Sequence, residues 1–158
     1  MPTFENHKTI IVMIDTLDYS KVPAGFVHCL NGNCKQAEHC LRYQVTRYVP
    51  ATRRDFRMLN PSWVIPEGDC PEFMNDTPVK YAYGWTHMFD KLIHEKAIAI
   101  KDDLSCYYGK NEFYRLKRKE KSFTPQAQQY VRSVFLRYGV KDEPIYDEYR
   151  YEYKWDKD

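Results

Sequence analysis

The stretch His28-Cys29-Leu30-Asn31-Gly32-Asn33-Cys34-Lys35-Gln36-Ala37-Glu38-His39-Cys40 places three cysteines and two histidines within thirteen residues. Such a density points to a metal or cross-link site. A fourth cysteine, Cys70, follows in a loop-like setting, Glu67-Gly68-Asp69-Cys70-Pro71. Cys29, Cys34, Cys40 and Cys70 together offer four thiolates, the number that structural zinc takes in a tetrahedron. The gaps are wider than those of the usual zinc knuckle, so the signal is weaker than a paired CxxC set. An iron–sulfur cluster is the rival cofactor, because four cysteines with one followed by proline also suit a cubane. Buried free thiols are the plain alternative to both. His28 and His39 are alternative metal ligands, and otherwise read as a loop residue and a solvated helix residue.

Helix geometry sharpens the metal reading. If a helix began at Cys34, Cys40 would lie about 120° round its axis and about 9 Å along it, and the sulfurs would diverge. For both to reach one ion, the helix must start nearer Ala37 or Glu38, which puts Cys40 in its first turn, where the positive end favours a thiolate. Asn31-Gly32-Asn33 is a turn able to bring Cys29 back towards Cys34. Beyond it, Ala37, Leu41, Val45 and Tyr48 share one helical face, predicting a helix over 35–48 that Pro50 stops. Arg42 and Arg47 fall off that apolar stripe.

Before the cluster, Thr9 to Ile14 reads as a strand, followed by a connector punctuated by Pro23 and Gly25. After it, Pro61, Pro66, Pro71 and Pro78 exclude a long helix and leave short strands at Phe56–Leu59 and Trp63–Ile65. Two helices are expected next, over Tyr81–Leu92 and Glu95–Tyr108, the second with a stripe of Ile100, Leu104, Tyr107 and Tyr108 and a stop at Gly109. The clearest helix spans 124–139. Thr124 is its N-cap and Pro125 its first residue, and Ala127, Tyr130, Val131, Val134, Phe135 and Tyr138 form an unbroken stripe. In the tail, Tyr149, Tyr151, Tyr153 and Trp155 alternate with charged residues as in a strand, although Tyr146, Tyr149 and Tyr153 also fit a helix.

The bulk composition bounds the rest. A chain of 158 residues is long enough for one domain with a real core. Fourteen tyrosines and eight phenylalanines mean that amphipathic rings do much of the packing. A net charge of +2 demands no polyanionic partner. The apolar run Ile10–Ile14 is too short for a signal peptide or a membrane span. The expectation is a cytoplasmic protein away from membranes, in a compartment where thiols stay reduced and clustered cysteines favour a metal.

Taken together, Asp18-Tyr19-Ser20, Val22-Pro23-Ala24-Gly25-Phe26, His28-Cys29, Cys34, Ala37 to Tyr43, Asn60-Pro61, Cys70-Pro71-Glu72-Phe73, Gly109 to Arg115, Thr124-Pro125 and the aromatic tail resemble a family of small uncharacterised proteins from anaerobic gut bacteria. The resemblance runs over about residues 18–155 and leaves the first 17 outside it. It implies no activity. An anaerobic source would tolerate a cluster as well as zinc.

Other features carry less. Lys110 to Lys121 is a basic run with Phe113 and Tyr114 among its cations. Arg115, Lys117, Arg118 and Lys119 are candidate nucleic-acid contacts, cations for phosphates and rings for bases. The alternatives are a solvated charged face, or pairing in cis with the acidic tail. Cys106 reads as a core thiol, and neither His87 nor His94 is positioned by the sequence to activate it. His7-Lys8-Thr9 matches half of a two-histidine phosphoesterase signature, but the second His-x-Thr is missing. No phosphate-binding glycine loop, serine nucleophile elbow or His-Glu-x-x-His is present.

The expected fold is α+β, a single domain with a Cys-rich lobe of loops and short strands over 18–80, preceded by a 17-residue extension, and a helical lobe with the aromatic tail over 81–158. The expected function is a non-enzymatic cytoplasmic binding or regulatory protein with a structural four-cysteine zinc site. A nucleic-acid-binding protein and an iron–sulfur redox protein are its rivals, and a second protein remains a possible partner.

Overall fold

The computed structural model describes residues 11–12, 17–63 and 69–156. The α+β expectation is borne out. The main elements run β1 (Ile11–Val12), α1 (Leu41–Thr46), β2 (Val79–Tyr83), α2 (His94–Tyr108), α3 (Lys110–Lys117), α4 (Pro125–Arg137) and β3 (Glu148–Glu152), with single 3-10 turns at Tyr19–Lys21 and Ala37–His39. The sheet has the order β1-β3-β2, and β1 runs parallel to β3 with Ile11 opposite Tyr149 and Val12 opposite Arg150. No helix among the described residues is long and apolar enough to cross a membrane.

The chain forms two compact units. One comprises Met1–Met13 with Lys80–Glu152, the other Ile14–Val79 with Tyr153–Asp158.

In the helical unit, α4 follows from its local sequence. The Thr124 hydroxyl accepts the Ala127 N–H at 3.1 Å, Pro125 opens the first turn, and Val131, Val134 and Phe135 are buried. They meet Ile100 and Leu104 of α2 and Phe113 and Leu116 of α3 in one core. Gly109, at φ +79°, separates α2 from α3 by a single residue.

The expected helix over Tyr81–Leu92 does not exist. Val79–Tyr83 is β2, and turns follow it. The reason is pairing at long range: Ala82 and Phe123 exchange backbone hydrogen bonds at 3.1 and 2.7 Å. Gly84 then turns at φ +72°, with the Asp147 carboxylate in the space that a Cβ would need. Trp85 follows, buried and stacked on Phe113 at 4.4 Å, its indole N–H donating to the Phe113 carbonyl at 2.8 Å.

The second unit has a small core of Leu17, Phe26, Leu41, Val45 and Met74, against which Tyr153 and Trp155 pack. Trp155 meets Phe26 edge-on at 5.1 Å. Of the tail, Glu148–Glu152 is thus a strand, and Tyr153 and Trp155 beyond it pack, half-buried, against a core. The helix expected over 35–48 is broken: after the turn at Ala37–His39, Cys40 is extended at φ −98° and ψ 115°, and α1 begins at Leu41. Tertiary pairing overrides the helical period here. Cys40 bridges Asn75 antiparallel, and the Leu41 N–H donates to Met74 at 2.6 Å. Of the short strands, Phe56–Leu59 is reduced to one parallel bridge between Met58 and His28. The remainder of Trp63–Ile65 beyond Trp63, and the parts of Thr9–Ile14 outside Ile11–Val12, lie outside the described residues.

Candidate metal centre

Four segments carry the four cysteines to one place. Asn31-Gly32-Asn33 does turn: the Asn31 side chain accepts the Asn33 N–H at 3.1 Å, and the Gly32 N–H donates to Leu30 at 3.0 Å. Cys34 follows, and its carbonyl accepts the Ala37 N–H at 3.0 Å, opening the 3-10 turn. That turn ends on Cys40, which caps α1. The helix is therefore not continuous from Lys35, and the divergence of Cys34 and Cys40 along one helix does not arise. Cys29 is held from α1, its N–H donating to the Arg42 carbonyl and its own carbonyl accepting the Thr46 hydroxyl, both at 3.0 Å. Cys70 is tied to the cluster by Gln36, whose side-chain oxygen accepts the Cys70 N–H at 3.2 Å.

Cys29, Cys34, Cys40 and Cys70 all line a single cavity of about 40 Å³. Arg42, Glu72 and the rings of Tyr43, Trp63 and Phe73 complete much of its wall. All four thiols are free, with Cys40 buried and the others half-buried. Burial pushes the Cys29 thiol above its ordinary value, a backbone hydrogen bond from Asn31 opposes this, and the charges of Cys40, Cys34 and Cys70 raise it further. Among the described residues, no group of three His, Cys, Asp or Glu side chains is already arranged to hold an ion.

The two histidines do not line this cavity. His28 is buried at 2% exposure, and its Nδ1 faces the carbonyls of Phe26 and Arg57, each at 3.0 Å. Two acceptors there place the proton on Nδ1, so Nε2 accepts the Tyr19 hydroxyl at 3.0 Å. With both ring nitrogens engaged, His28 is a structural staple between Cys29's segment and residues 56–59. His39 is solvent-exposed, 4.0 Å from Asp76. Cys106 is exposed on α2 rather than in the core, because Leu104 takes the inward position.

The basic run forms α3 and the turn after it, and Arg115, Lys117, Arg118, Lys119 and Lys121 meet partners in cis. Arg115 lies 3.4 Å from Glu112 and 3.3 Å from Glu120, and Arg118 lies 2.6 Å from Glu120. Lys119 is 3.6 Å from Glu148, Lys121 pairs with Glu112, and Lys117 sits 4.9 Å over the Trp85 ring. Glu148 is the tail's contribution; most of the matching carboxylates come from the run's own neighbourhood.

Arg42 is the residue that sequence reasoning missed. Helical periodicity puts it off the apolar stripe, yet it is buried at 8% exposure. Its guanidinium donates to the Val27 carbonyl at 2.8 Å, to the Glu72 carbonyl at 2.9 Å and to the Glu72 carboxylate at 3.2 Å. The acceptors lie 15 and 30 residues away along the chain, so no local pattern announces them.

The model of a family of unknown function, DUF6078, matches residues 13–155. No curated protein and no solved structure matches the chain.

Proposed function

The chain belongs to this DUF6078 family of unknown function, and we propose that it is a non-enzymatic binding or regulatory protein whose Cys29, Cys34, Cys40 and Cys70 hold one zinc ion as a structural site. The observation that carries the reading is that these four thiols line one small cavity. Its volume of about 40 Å³ exceeds the ~10–15 Å³ of such space that one water-sized occupant needs. Walls that carry four thiols and several rings favour a thiophilic ion over a hard, hydrated one such as magnesium.

Binding asks for two changes. The thiols must lose their protons, and the sulfurs must close on the ion to about 2.3 Å each. The raised Cys29 thiol sets the direction: loading is favoured at higher pH and reversed in acid. A reducing bacterial cytoplasm is the setting that keeps such thiols free for a metal. The nucleic-acid reading gains no comparable support, since Arg115, Arg118 and Lys119 each face a carboxylate.

Zinc titration into the reduced, metal-free chain tests the proposal. At zinc a hundredfold above the dissociation constant, the folded state gains about 2.7 kcal/mol, read as a raised melting temperature that a chelator reverses. Exchange of any one of the four cysteines for serine should remove most of that gain. An unchanged melting temperature with all four thiols still reactive would dispose of the site.

A further inference from the structure

Three of the four cysteine-bearing segments meet at one side chain. Arg42 lies two residues after Cys40, with its backbone on the first turn of α1. Its side chain grips Val27, two residues before Cys29, while its carbonyl accepts the Cys29 N–H. The other edge of the guanidinium donates to both the carbonyl and the carboxylate of Glu72, two residues after Cys70. The same guanidinium lies 5.4 Å over the Phe26 ring and contributes to the cavity wall.

Resting on the zinc reading above, we infer that Arg42 is the positioning residue of the thiol site, holding the Cys29 and Cys70 segments on either side of Cys40 at the separation from which their sulfurs can close on one ion. The chemistry selects arginine for this task. A planar guanidinium offers five donors in a fixed fork, and it can serve two carbonyls and a carboxylate at once. A lysine ammonium offers a point charge without that directional spread. Without the fork, the Cys70 segment loses its side-chain tie to α1, while the Gln36 bond to the Cys70 N–H and the backbone pairing of Met74 with Leu41 remain.

The test uses the full chain and compares wild type with Arg42→Met, Arg42→Lys and Arg54→Met, the last removing the same charge from an exposed position. Zinc affinity is measured by competition with a chromophoric chelator, and cobalt(II) replaces zinc to report the ligand set through its thiolate charge-transfer bands. Arg42→Met is expected to weaken zinc about 10- to 100-fold, the loss typical of groups that orient metal ligands. Its cobalt bands should weaken per bound ion as a thiolate drops out. Arg42→Lys, which keeps a cation and serves if the methionine variant does not fold, should melt near wild type yet recover the affinity only in part. Arg54→Met should match wild type throughout. Wild-type zinc affinity and an unaltered cobalt spectrum in a folded Arg42 variant would overturn the inference while leaving the metal site standing. Absence of zinc binding by the wild-type chain would overturn the site itself, and the inference with it.

Discussion

At the scale of single residues, buried polar groups make the sharpest predictions. His28 is buried with its Nδ1 proton shared by two carbonyls. Burial lowers its pKa from 6.5, the two backbone bonds partly oppose this, and Arg53 and Arg42 lower it further. The folded state therefore binds fewer protons than the unfolded chain below that value. His28's contribution to stability is complete above pH 6.5 and is lost as the pH falls through the lowered folded value. Urea unfolding should show stability rising with pH across that window, and an NMR titration placing His28 at or above its ordinary value would refute it. Tyr146 is the opposite case. Its hydroxyl is buried with no hydrogen-bond partner among the described residues, and burial, together with Tyr149, Tyr108 and Glu143, raises its pKa strongly. An unsatisfied hydroxyl costs about 1–3 kcal/mol, so Tyr146→Phe should leave the melting temperature unchanged or raise it. A clear loss of stability would mean that the hydroxyl has a partner. Arg42 shows why such residues escape a reading of sequence: its burial depends on acceptors far along the chain, and nothing in its own neighbourhood distinguishes it from Arg47.

Elements divide according to whether their causes are local. α4 is legible because its cap, its opening proline and its apolar period all lie within one stretch, and each acts within a turn or two of helix. Thr124→Ala should cost about 1 kcal/mol by orphaning the Ala127 N–H, measurable by chemical denaturation. Gly109 is equally local. It stands at φ +79° and ψ 143° with open space around it, so Gly109→Ala meets no side-chain clash and suffers only the backbone strain, about 1–3 kcal/mol. β2 was illegible for the converse reason. Tyr81-Ala82-Tyr83 carries no strand signal strong enough to outweigh a helical reading, and its partner Phe123 lies far along the chain. The same holds at Cys40, where a well-formed period from Ala37 to Tyr48 is cut by pairing with Asn75 and Met74. The cut is what lets Cys34 and Cys40 line one cavity, so the misread element and the site are one fact.

For the molecule as a whole, the candidate site was legible as a set of residue types and illegible as a structure. Four cysteines, one of them some thirty residues beyond the other three, could be grouped from spacing and compartment. How Cys70 returns to the cluster could not, because the ties run through Gln36 and Arg42. The exposed cations of α3 were equally visible, and their neighbours Glu112 and Glu120 stood beside them in the sequence; only the fold shows them paired. The two units differ in what supports them. The helical unit has a ring-rich core of its own, whereas the unit around the cysteines has a handful of buried apolar side chains and a thiol-lined cavity. A bound ion would therefore matter most to the second. The most direct measurement is the metal content of the full chain, purified under reducing conditions without chelators and read by elemental analysis. A four-cysteine zinc site requires about one zinc per chain in a colourless protein, lost when Cys70 is replaced by serine. Iron with sulfide in a brown preparation, or a folded chain carrying no metal at all, would contradict it.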